Sequence, residues 1–145
     1  MNRFDWLLLV ISAAKPKPMS PVQLQKSLFL LERNLDSKQL RTSSFYQFSP
    51  FDYGPFSPDI YSDAESLEHS GLVSIKRPPA TRYKLYSITK AGSARAKEVQ
   101  SGLKPEVTKF LGQAVKYTQS LSFDDLVSAI YKAYPEMKAK SVFRR

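Results

Sequence analysis

Residues 70–92, SGLVSIKRPPATRYKLYSITKAG, constrain the fold of this chain more than any other stretch. Ser70-Gly71 reads as the close of a helix, since glycine readily takes the left-handed conformation that ends one. Residues 72–76 and 83–88 are β-like runs. Between them Lys76-Arg77-Pro78-Pro79-Ala80-Thr81-Arg82 makes a basic turn stiffened by two prolines. Thr89 then offers an N-cap for a helix from Lys90. A hairpin alone is marginal in water, so this one must lie on a helical body. The expectation is a mainly α protein with a small antiparallel β-wing whose tip carries cations.

Charge is distributed unevenly around that segment. The chain has 145 residues and a net charge of +9. Residues 1–70 hold seven basic and eight acidic side chains; residues 71–145 hold fifteen and five. A basic half beside a near-neutral half points to a polyanion or an acidic partner, and the simpler reading is a solvated basic surface. There are no cysteines, which removes disulfides, thiolate metal sites and cysteine nucleophiles and fits a reducing cytoplasm. The single histidine, His69, leaves little scope for triad or zinc chemistry. The N-terminal run MNRFDWLLLVISAAK imitates a short signal peptide, but Asp5 sits where such a segment is positive, and the apolar run is too short to span a bilayer.

Helix starts are written along the chain. Asn2 with Asp5 caps a first helix over residues 2–14, apolar nearly all round and therefore buried. Lys15-Pro16-Lys17-Pro18 forces an extended link. Ser20, Pro21 and Gln23 open a second helix, whose Leu24, Leu28, Leu31 and Leu35 form a core stripe too short for a coiled-coil seam. Residues 34–57 are the least regular. Phe45, Tyr46, Phe48, Phe51, Tyr53 and Phe56 crowd there, with a short strand expected at 45–48 and an aromatic loop bent at Tyr53-Gly54-Pro55. Ser57, Pro58 and Asp59 repeat the start signal for a third helix ending at Gly71. Helices are expected over 90–100, 105–119 and 123–134, the last opened by Ser122 and stopped by Pro135. This divides the chain into a core over 1–100, a helical hairpin over 101–136, and a basic, frayed tail over 137–145. The hairpin is expected to bury its apolar faces on this chain or across a two-fold axis in a homodimer.

The order helix, helix, helix, strand, basic turn, strand, helix resembles the winged helix-turn-helix superfamily over about residues 1–100. Ser70-Gly71-Leu72-Val73 and Tyr86-Ser87-Ile88-Thr89-Lys90-Ala91-Gly92 are similar to a pattern common in bacterial winged-helix regulators. Separately, Leu24-Gln25-Lys26-Ser27-Leu28-Phe29-Leu30-Leu31 with Tyr53-Gly54-Pro55-Phe56-Ser57 resembles small prokaryotic YwgA-like proteins and Panacea antitoxin domains. The first resemblance implies a fold used to hold nucleic acid or protein. The second implies a cytoplasmic, prokaryotic or phage-linked protein, and neutralisation of a partner by direct binding.

Candidate sites follow from residue types. Lys76, Arg77, Arg82 and Lys84 suit phosphate contacts. The presumed recognition helix does not: it holds Asp59, Asp63, Glu65 and Glu68 and no Lys or Arg. Contacts to DNA would then come from the wing and C-terminal face, or from Gln23, Lys26 and Arg33 on the second helix. Alternatively the acidic helix and aromatic loop (Asp59, Asp63, Phe51, Tyr53) meet a partner protein such as a toxin or defence subunit. Asp59 and Asp63 are one turn apart, but early acids in a helix serve its dipole, so no metal is expected. Phe51 and Tyr53 are expected to pin the loop as a buried satellite core rather than to stack bases. No motif supports catalysis, and no cofactor is implied. The reading is a non-enzymatic regulatory or antitoxin-like protein.

Overall fold

Side-chain caps place most helix starts where the sequence advertises them. In the computed structural model, which describes residues 1–143, α1 (Arg3–Ala13) opens with a reciprocal Asn2–Asp5 capping box, and α2 (Pro21–Asn34) with Ser20 and Gln23. A four-residue α3 (Ser37–Leu40), absent from the sequence reading, is opened by an Asp36–Gln39 capping box. The third expected helix is α4 (Asp59–His69), and Gly71 follows it at φ 78°. α5 (Lys90–Gln100), α6 (Pro105–Ser120) and α7 (Phe123–Ala133) lead to a 3-10 turn (Pro135–Lys138). The protein is mainly α with small antiparallel hairpins, as expected.

Two local expectations need correction. The strand expected at 45–48 lies further on, as β1 (Ser49–Phe51) paired with β2 (Gly54–Phe56). Pro50 faces Pro55 in this ribbon, so the ladder bonds fall on the flanking pairs. Ser57 does not cap α4. Its N–H donates to Gln25 Oε1 (3.0 Å) and its carbonyl accepts from Gln25 Nε2 (2.9 Å), so the residue is fixed to α2 instead.

The apolar α1 becomes the centre of the molecule. Residues 6–11 are all buried, against α2, α4, α5, α6 and the wing. The wing pairs β3 (Val73–Lys76) with β4 (Leu85–Ile88). Met19, in the link before α2, adds a third short edge: it exchanges backbone hydrogen bonds of 2.8 and 2.9 Å with Tyr86. The wing is thereby tied to both the α1–α2 link and α5. At Gly92 a Cβ would stand 1.9 Å from the Leu72 carbonyl oxygen, so only glycine lets α5 start this close to β3.

The helices after residue 100 cover this chain's own core. α6 lays Val107, Leu111 and Val115 onto it, and Thr118 Oγ1 lies 2.8 Å from Ser27 Oγ. α7 and the 3-10 turn close a second cluster of Phe29, Leu126, Ile130 and Met137. The tail is not frayed over the described residues, which corrects the expectation. Met137 is buried, and the Val142 N–H donates to the Asp52 carbonyl at 3.0 Å. Arg144 and Arg145 lie outside the described residues. Among the described residues no helix is long and apolar enough to cross a membrane.

Candidate nucleic-acid interface and an aromatic cavity

The wing tip is held by its own backbone and prolines. Thr81 donates its N–H to the Pro78 carbonyl (3.1 Å) and its hydroxyl to the Tyr83 carbonyl (2.9 Å). Lys76, Arg77 and Arg82 are exposed there and make no ion pair among the described residues. Lys84 is different: it reaches Glu65 of α4 at 3.6 Å. The extended link lies beside the wing, where Pro16, Pro18, Lys76, Arg77 and Pro78 line one shallow hollow. Lys15 and Lys17, exposed and likewise without an ion pair, flank those prolines. Sequence reading missed these two lysines as partners of the wing. The Met19–Tyr86 pairing that unites the two segments is a long-range contact without a local signal.

The acids of α4 all have partners inside the protein. Asp63 is 5% exposed, accepts from the Tyr46 hydroxyl at 2.7 Å and pairs with Arg3 Nε at 2.9 Å. Arg3 also holds Asp59 at 3.3 Å and lies over the Tyr46 ring. The cation that Asp59 and Asp63 clamp is therefore Arg3. Burial, reinforced by the Asp63 carboxylate, holds the Tyr46 phenol well above its usual range. Glu68 accepts from the Ile75 N–H at 3.1 Å, and Glu65 meets Lys84. His69 is exposed at the helix end, as expected.

On the second helix the residues considered for phosphate contacts, Gln23, Lys26 and Arg33, are each engaged within the protein. Lys26 is 4% exposed, with its ammonium donating to the Pro55 carbonyl at 3.3 Å. Burial pulls that ammonium down to about 7. Arg33 is occupied by Glu32 (3.0 Å), Glu136 (3.6 Å) and the face of Phe29. It also lies fourteen residues beyond Met19, about 20 Å along the helix from the wing attachment. Gln23 is spent in its capping box.

Phe51 and Tyr53 are not buried core; they are 49% and 45% exposed. Phe51, at the end of β1, stacks on Phe56, and Tyr53, in the two-residue turn that follows, meets the edge of Phe123. They form the rim of a cavity of about 400 Å³ between the start of α2, the β1–β2 ribbon, Tyr61, Tyr83 and the start of α7. Among the described residues Lys26 is the one cation on its walls. Gly54, at φ 107°, lets the ribbon pass close over Lys26: a Cβ there would stand 3.5 Å from Nζ. No family model matches the chain, and no curated protein matches it.

Proposed function

We propose that this is a non-enzymatic regulatory or antitoxin-like protein of winged-helix type that binds nucleic acid through its wing and the adjoining link. The observation carrying this reading is that the wing and the proline link beside it, which share one hollow through Pro16, Pro18, Lys76, Arg77 and Pro78, carry exposed cations (Lys76, Arg77 and Arg82; Lys15 and Lys17) free of ion pairs among the described residues. Cations held this way meet phosphates with little ordering cost and release condensed counterions. The internal pairing of the α4 carboxylates reduces the repulsion that their number alone implies. A cytoplasmic setting agrees with the absence of cysteine.

The test is fluorescence anisotropy of labelled duplex DNA at several salt concentrations. Affinity should fall steeply as salt rises. Replacing both Arg77 and Arg82 by alanine should flatten the slope of log affinity against log salt by about 1.8, near 0.9 for each lost phosphate contact. An unchanged slope in the double variant contradicts the reading.

The exposed rings of Phe51, Tyr53 and Phe123 favour a second reading, in which this face meets a partner protein. Co-purification lost in Phe51→Ala while DNA affinity persists would support it.

A further inference from the structure

The cavity beneath the β1–β2 ribbon has a chemistry that neither wing binding nor protein docking uses. Its walls are apolar and aromatic: Phe51, Tyr53, Phe56, Tyr61, Phe123 and Leu126. At about 400 Å³ it falls within the usual size of small-molecule sites. Such sites join apolar walls to a few fixed polar groups, and here the fixed charge is the Lys26 ammonium.

Lys26 is the unusual element. An ammonium has three N–H donors. Lys26 uses one, toward the Pro55 carbonyl, and among the described residues it has no ion-pair partner. Among the described residues Asp52 is the one acid on the cavity wall, and it makes no ion pair with Lys26. A nearly buried ammonium with donors to spare is costly, and an entering anion offsets that cost. Support of the Pro55 turn accounts for one of the three donors and leaves the other two unexplained.

We infer that the cavity binds a small monocarboxylic acid with an aromatic or other apolar body, its carboxylate on Lys26 and its body against the aromatic walls. Among the described residues one cation without a second lines the cavity, which favours a single negative charge over a phosphate dianion. The apolar lining favours a hydrophobic body over a sugar or a zwitterion. Tyr83 of the wing and Tyr61 of α4 both line the cavity, so an occupant would touch the wing that carries the proposed DNA face. The binding claim itself does not depend on the nucleic-acid reading.

The experiment is calorimetry of the full chain with 4-phenylbutyrate and with its neutral amide, 4-phenylbutyramide. A peptide ending in a free phenylalanine carboxylate is the third arm. The acid should bind the wild-type protein at least tenfold tighter than the amide. Lys26→Met should abolish that preference while retaining the weak amide binding. In parallel, the Lys26 Cε resonance of the wild-type protein should shift with the acid and not with the amide, a readout independent of whether the variant folds. The inference is overturned if acid and amide bind equally, if neither binds at millimolar concentration, or if the peptide binds and the free acid does not.

Discussion

Asp63 and Lys26 each carry a charge into the interior, with opposite outcomes. Asp63 is matched by the Tyr46 hydroxyl and the Arg3 guanidinium. Asp63→Ala should cost about 2–3 kcal/mol in urea unfolding, mainly because the buried Tyr46 hydroxyl loses its acceptor. Arg3 is partly exposed, so its ion-pair share is small after solvent screening. Lys26 has no counter-charge among the described residues. Its folded-state pKa of about 7 lies below the unfolded value of 10.5. Below pH 7 both states are protonated, and the cost of burial is fully present. Between 7 and 10.5 the folded state gives up the proton first, so stability should rise by roughly 1.4 kcal/mol per pH unit from this group. Lys26→Met should be more stable than wild type at pH 6 and lose that rise. Urea midpoints at pH 6 and pH 9 for both proteins check this, and parallel pH profiles would refute it.

Among the elements, the junction of wing and α5 concentrates the most local constraint. Thr89 accepts from the Gly92 N–H at 2.9 Å and donates to the Gly71 carbonyl at 2.7 Å. Thr89→Ala should lose about 1–2 kcal/mol through the lost cap and the carbonyl it satisfies. Gly92→Ala should cost about 3 kcal/mol, since β3 has to move away from the new methyl group. Thermal unfolding of both variants ranks them, and a Gly92→Ala protein as stable as wild type would contradict the close approach. This junction was legible in the sequence because caps and turn residues act within a few positions. The β1–β2 ribbon was not, because Pro50 and Pro55 argue against strand, and only their mutual pairing makes them tolerable. The four-residue α3 was missed for a related reason: it has a cap but too little length for an apolar period.

For the whole molecule, the sequence revealed the helical body and the basic hairpin but not which cations stay free. Lys26 and Arg33 look like surface cations on a helix. Burial under Gly54 and Pro55 takes one, and Glu32 together with Glu136, a hundred residues away in sequence, takes the other. The link that holds Lys15 and Lys17 lies beside the wing because Met19 pairs with Tyr86. Such choices depend on tertiary neighbours, to which local periodicity is blind. The docked tail is a further case: Met137→Ala should cost about 2–4 kcal/mol by opening a cavity beside Phe29, measurable as a lower urea midpoint.

The central claim is that the wing and the proline link together form the surface that meets nucleic acid. Amide chemical-shift mapping of the labelled protein, titrated with an unlabelled duplex at low salt, tests it most directly. The account predicts shifts grouped at residues 15–19 and 76–83 that fade as salt is raised. Shifts confined to α4 or to the aromatic rim, or no shifts at low salt, would contradict it.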